Sequence, residues 1–251
     1  GTQSGVYIEE SVLLGLNLIE FCWGAVWMDI DNDTDQDLFI AEHDPVNPYQ
    51  ENFLYENTET ETSLPLGFNL VSTDVYNTDL LNSHTVASGD FDRNGWVDFV
   101  VHNIGNHKAR IWMNAGVNDE PANYTQIGLK GQLSNTMGVG SWIEVSAGGI
   151  TQSKSTHCGE NYLGQEGLYE HFGLGETSFV DSLEIKWPSG ITDKYYDLDI
   201  GNNTEPRRFY TEGYSACPHV PDTVLCGPET ITVSATPFWD GAEIVWSYQE
   251  T

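Results

Sequence analysis

Two stretches of this chain carry oxygen-bearing side chains on alternate positions, the spacing at which a tight loop turns several ligands onto one cation. Asp29, Asp31, Asp33 and Asp37 take positions 1, 3, 5 and 9 of the first stretch. Asp90, Asp92, Asn94 and Asp98 take the same positions of the second. Calcium takes about six to eight hard oxygens, and a backbone carbonyl near position 7 is part of such loops. Here that carbonyl belongs to Asp35 in the first loop and Trp96 in the second. Gly95 at position 6 suits a sharp turn because glycine tolerates positive φ; Thr34 holds the place in the first loop and suits it less. Position 12, where an EF-hand needs a bidentate Glu, is Ile40 or Val101, which excludes that motif. Bunched carboxylates repel one another without a cation, so the expectation is Ca2+ in a structural role, at about two sites.

The elements that must hold these loops read as strands. Short apolar runs at Asp37–Ala41, Trp96–His102, Trp142–Val145, Leu183–Trp187 and Ile231–Ala235 are β-branched or aromatic and lie between Gly, Asn, Asp and Pro clusters. This pattern predicts an all-β protein; Val6–Phe21, the one place where a short helix competes, is read as strand. Each loop belongs to a repeat: acidic loop, apolar strand, second loop, then a strand ending in aromatic-x-Asn, at Tyr55-Glu-Asn57 and Trp112-Met-Asn114. Asp29 and Asp90 stand 61 positions apart, a period that suits one four-stranded propeller blade.

Asp and Glu number 38 against 9 Lys and Arg, a formal charge of −29. Nucleic acid needs a basic surface, so that class is excluded, as are anionic membrane surfaces. The 12% aromatic content argues for a folded chain rather than an acidic disordered one. No apolar run is long enough for a membrane-spanning helix. The four cysteines form no C-x-x-C pair, which argues against zinc. Cys217 and Cys226 are close enough in sequence for a local disulfide; Cys22 and Cys158 remain, as a second pair or as buried thiols. No Gly-x-Ser-x-Gly elbow, phosphate-binding Lys loop or His-Glu-x-x-His occurs, so no enzyme activity is expected. His102, His107 and His171 are read as structural, and Trp23, Trp27, Trp96, Trp112 and Trp142 mostly as core rather than sugar platforms.

The acidic loops resemble FG-GAP/VCBS repeats, the calcium-loop propeller blades of integrin-like and bacterial surface proteins. A second resemblance rests on Asn135–Val145, Gly159–Gln165, His171-Phe-Gly-Leu-Gly175 and Trp187-Pro-Ser-Gly190. These elements are similar to the ASPIC/UnbV domain that follows FG-GAP repeats in relatives of cartilage acidic protein. The tail resembles the first strands of an Ig-like module. Together the resemblances imply two propeller-type blades over 1–120, a β-sandwich-like ASPIC/UnbV domain over 126–212, and a linker with incomplete Ig-like strands over 215–251. The implied function is a calcium-stabilised, non-catalytic binding or adhesion module, secreted or at the cell surface. Its partner would be an extracellular protein, a glycan or another copy of the chain. The alternatives are an accessory portion of a secreted carbohydrate-active or other hydrolytic enzyme, or a structural subunit of an extracellular assembly. Two blades are fewer than a closed propeller needs, so the chain is expected to be part of a larger architecture, unless the blades pack directly on 126–212.

Overall fold

The computed structural model describes residues 8–16, 22–44, 46, 52–58, 67–71, 81–116, 123–202, 204–215, 233–235 and 244–246. Every regular element among them is a strand. The first repeat forms an antiparallel meander of β1 (Cys22–Met28), β2 (Asp37–Glu42), β3 (Phe53–Asn57) and β4 (Phe68–Leu70). In the second repeat, β5 (Ser83–Gly89), β6 (Asp98–Asn103) and β7 (Arg110–Trp112) form a three-stranded meander. Each acidic loop joins the first two strands of its meander.

Burial follows the side-chain alternation. On β1, Val26 and Met28 turn inward while Ala25 and Trp27 face out. β2 is buried on both faces, which is why Asp37-Leu-Phe-Ile-Ala-Glu42 reads as a continuous run rather than an alternating one. Phe39 and Ala41 join Val26, Met28 and Leu54 of the first repeat and Val86, Val97, Phe99 and Val101 of the second in one core. The Phe39 and Phe99 rings meet at 4.6 Å. The two meanders therefore cover one another's apolar faces, and no sheet among the described residues closes on itself. Their inner strands approach so closely at Gly24 that a Cβ there would lie 2.9 Å from the Thr85 Cα.

The second region is a two-sheet sandwich. One sheet runs β10 (Ile150–Ser155), β9 (Trp142–Ala147), β12 (Phe179–Lys186) and β13 (Thr192–Asp199). The other runs β11 (Tyr169–Gly173), β8 (Tyr124–Lys130) and β14 (Arg207–Thr211), with β14 parallel to β8. Both sheets contribute to one core, in which Ile127, Phe172 and Tyr210 meet Ile143, Val145 and Ile185. Beyond the sandwich, β15 (Val233–Ala235) and β16 (Ile244–Trp246) pair antiparallel.

Three expectations need correction. Residues 11–15 form a turn rather than part of a strand, with Leu14 N–H donating to the Glu10 carbonyl at 2.9 Å and Leu16 N–H to that of Ser11 at 2.8 Å. Glu9 accepts the Ser11 N–H at 2.8 Å and its hydroxyl as well, a local hydrogen bond that competes with strand pairing. No disulfide joins Cys22 to Cys158, and neither is buried: Cys22 opens β1, Cys158 lies in the turn after β10, and both are exposed. Cys217 and Cys226 lie outside the described residues. Of the five tryptophans assigned mostly to core, Trp96 is buried but Trp23, Trp27 and Trp142 are 40%, 53% and 42% exposed, because they stand on outward positions of their strands.

Candidate metal centres and the adjoining cleft

The two acidic loops share one hydrogen-bond scheme. The carboxylate at position 9 accepts the N–H of position 2 and the N–H of the distant Asn. Asp37 takes Ile30 at 2.9 Å and Asn57 at 2.8 Å; Asp98 takes Phe91 and Asn114, both at 2.7 Å. This explains the aromatic-x-Asn that ends each repeat: its backbone pins the ninth-position carboxylate. The first-position carboxylate accepts the sixth-position N–H in both loops, Thr34 to Asp29 and Gly95 to Asp90, each at 3.2 Å. Backbone angles repeat too, with φ of 59° and 66° at Asn32 and Arg93, and 90° and 92° at Thr34 and Gly95. Thr34 thus adopts a glycine conformation that strains a β-branched residue.

This scheme aims three carboxylates at one point in each loop. Ligand oxygens of Asp29, Asp31 and Asp37 lie within 4.8 Å of one another, and those of Asp90, Asp92 and Asp98 do the same. The third- and fifth-position side chains also accept N–H groups of their own loop: Asp31 that of Asp33 at 3.3 Å and Asp33 that of Asp35 at 3.0 Å, Asp92 that of Asn94 at 3.1 Å and Asn94 that of Trp96 at 2.8 Å. The Asp35 carbonyl accepts the Gln36 amide at 3.2 Å, and Trp96 is buried.

The electrostatics of the first loop call for positive charge. Burial pushes Asp37 up to about 8; hydrogen bonds from Ile30 and Asn57 oppose this, and the Asp31 and Asp29 charges add to it. Burial pushes Asp29 up to about 7, with Lys154 pulling down and Asp33 and Asp31 pushing up. Asp31 rises to about 6 through burial and the Asp33 charge. In the second loop burial raises Asp98, opposed by its two N–H donors. Asp90 Oδ1 is buried with no hydrogen-bond partner among the described residues, an orphaned acceptor on the loop's inner side. The donor set is all oxygen, which suits a hard cation such as Ca2+ and not a soft one.

A buried polar chain ties the loops to each other and to the sandwich. Asn32 Nδ2 donates to the Gly95 carbonyl at 3.0 Å, and Asn114 Nδ2 to the Ile30 carbonyl at 2.8 Å. Asn32 Oδ1 lies 2.7 Å from Nε2 of His171 on β11, whose Nδ1 lies 3.1 Å from Gln126 Nε2 on β8. The Gln126 amide nitrogen can only donate, so Nδ1 accepts and Nε2 carries the proton. His171 is accordingly neutral, its pKa lowered to about 3 by burial and by the Lys154 and Arg207 charges. Gln126 Nε2 also donates to Asp90 Oδ2 at 3.1 Å. Arg207 of β14 donates to Gln126 Oε1, and reaches the Asp90 carbonyl at 3.0 Å and its carboxylate at 3.2 Å. His171 therefore has the hydrogen-bonded role expected of it. Asn32, Gln126 and Arg207 give no sequence signal, because their partners are up to 139 positions away.

Where β1 faces the β10–β11 connection, a cleft of about 460 Å3 opens, lined by Trp27, Lys154, His157, Glu160, Glu166 and Glu170 among others. The Lys154 ammonium lies 5.3 Å from the Phe172 ring centre. Burial lowers its pKa, against the opposing charges of Glu170, Asp29 and Glu166. Burial raises Glu166 and Glu170. Glu166 bridges back to the second repeat, accepting the N–H and hydroxyl of Ser88, each at 2.6 Å.

Against known families, the finding falls on the sandwich. Residues 131–205 match the ASPIC and UnbV family model. The matched segment runs from the loop after β8 through β13 and holds His171 and Lys154. Curated proteins yield no significant match to the chain. Among the described residues, no helix is long and apolar enough to cross a membrane.

Proposed function

We propose that the chain is a calcium-stabilised extracellular binding module, with its two meanders as propeller-type FG-GAP/VCBS blades beside the ASPIC/UnbV sandwich. The observation that carries this reading is the duplicated loop: one hydrogen-bond scheme, two sets of three converging carboxylates. Asp29, Asp31 and Asp37 would hold one Ca2+, and Asp90, Asp92 and Asp98 the other. The ion supplies the positive charge that these crowded carboxylates lack. The chain's own groups do the rest. Asp37 and Asp98 fasten the loop ends to the meanders, and the Asn32–His171–Gln126 chain holds the loops against β8 and β11.

The module is read as non-catalytic, secreted or displayed at the cell surface, and its ligand as a glycan or extracellular protein. Trp27 favours the glycan: a half-exposed indole beside a cleft of carboxylates and an amine offers a stacking face with hydrogen-bonding groups around it. Calorimetry with Ca2+ tests the reading, with about two sites expected and a melting temperature that falls when chelator is added. Absence of binding at millimolar Ca2+ would refute it. A glycan array probed with wild type and Trp27→Ala, with and without chelator, tests the ligand.

A further inference from the structure

At the ends of the inner strands remote from the acidic loops, a second group of ligand-type side chains converges. Trp23 and His84 occupy equivalent places in the two repeats, each where its strand pair shifts register. Their rings stack at 4.7 Å. His43 follows β2 directly, and its imidazole centre lies 4.9 Å from that of His84 with the planes at 66°. The Trp23 indole N–H donates to the His43 carbonyl at 3.1 Å, which fixes the backbone there. Tyr162 of the sandwich closes the group, 5.0 Å from Trp23.

Packing leaves two polar atoms unexplained. His43 is only 9% exposed, and its Nδ1 is buried with no hydrogen-bond partner among the described residues. Nε2 of His84 is in the same condition. Each orphaned ring nitrogen costs about 1–3 kcal/mol if nothing binds it. Two imidazoles on one ion, with metal–nitrogen bonds of about 2.0–2.1 Å, hold their ring centres roughly 5 Å apart. The observed 4.9 Å matches that spacing.

We propose that His43 Nδ1 and His84 Nε2 form a binding site for one imidazole-preferring divalent transition ion, of the Zn2+ or Ni2+ kind, with water completing the coordination. Imidazole selects such ions over Ca2+, so the site is distinct in chemistry from the acidic loops and does not depend on them. Burial, with the nearby His43 and His102 imidazoles, holds His84 below its ordinary pKa, which keeps its ring neutral and its lone pair available. Glu42 precedes His43 but shares the strand face of Leu38 and Ile40, so it is not counted among the ligands.

The test is calorimetric titration of the whole chain with Zn2+ and with Ni2+, under saturating Ca2+ so that the acidic loops do not compete. Imidazole NMR signals are followed in parallel. The expected result is one site per chain, with the His43 and His84 signals shifting. His84→Ala and His43→Gln should each weaken binding by at least about tenfold, and His107→Ala, on an exposed loop, should leave it unchanged. His84 is only half-buried, so its variant remains informative even if His43→Gln does not fold. Absence of binding, or binding that both substitutions leave intact, would overturn the proposal and leave an aromatic packing cluster only.

Discussion

Replacing Glu212 by Gln should cost the sandwich about 3 kcal/mol at pH 7, the equivalent of its pKa displacement. Glu212 is 2% exposed and follows β14. Its Oε2 accepts three consecutive backbone N–H groups, from Gln132 at 2.6 Å and from Leu133 and Ser134 at 2.8 Å. Its Oε1 accepts the Ser134 hydroxyl at 2.8 Å and the Ser189 hydroxyl. Burial alone would raise the pKa, but these donors outweigh it and hold the group at about 2, down from 4.5. Glutamine has no charge and must turn its own N–H groups toward one set of donors. The pH dependence has a definite sign. A carboxylate with a depressed native pKa contributes fully above its unfolded value of 4.5 and loses that contribution as pH falls toward about 2. Urea unfolding of wild type and variant in Ca2+, followed by tryptophan fluorescence at several pH values between 7 and 2, reads the effect. The gap between the proteins should be widest above pH 5 and close toward pH 2. A difference under about 1 kcal/mol at pH 7, or a gap independent of pH, would refute the account.

Asp98→Asn should abolish calcium binding at the second loop while leaving the first, read as loss of one of the calorimetric sites. Thr34→Gly should raise stability by roughly 1 kcal/mol, because relief of a φ of 90° exceeds the entropic cost of glycine; a melting temperature below wild type would contradict this. Arg207→Met leaves the buried Asp90 carboxylate without its cation, so the calcium-free protein should lose about 3 kcal/mol. Calcium at the second loop should then bind more tightly, which titration of both proteins checks. Gly24→Ala should destabilise, since its Cβ would meet Thr85 backbone at 2.9 Å; a neutral effect in thermal melts would show that the inner strands can part.

The parts of the fold governed by local pattern were legible in the sequence. Short apolar runs mark β2, β6, β9 and β12, continuous on β2 and alternating on β9 and β12, and the repeated acidic positions mark both loops down to the aromatic-x-Asn anchor. What was hidden depends on contacts between distant positions. Nothing local in Asn32, Gln126, His171 and Arg207 says that they form one chain of hydrogen bonds. The bulges that stack Trp23 on His84 arise from register shifts in two strand pairs, which spacing alone does not reveal. Thr34 looked like a flaw at position 6, yet its backbone takes the same conformation as Gly95, because the surrounding carboxylate–amide bonds dictate the turn. The misread turn at residues 11–15 is a local matter instead: Glu9 accepts the N–H and hydroxyl of Ser11, two positions on.

The parallel pairing of β14 with β8 bears on how the sandwich can be handled as a unit. Because the pairing is parallel, the family-matched segment leaves from the end of β8, beside Thr211, and returns at the start of β14, beside Gln126, so its two ends lie at opposite ends of the strand pair. The central strand of the smaller sheet, β8, lies outside the match, as do β14 and the Glu212 clasp. Cut at residues 131 and 205, the segment would lose both other strands of its β11 sheet and the carboxylate that gathers its first loop. The smallest piece that retains every strand pairing of the sandwich together with the Glu212 clasp runs from Tyr124 to Glu212.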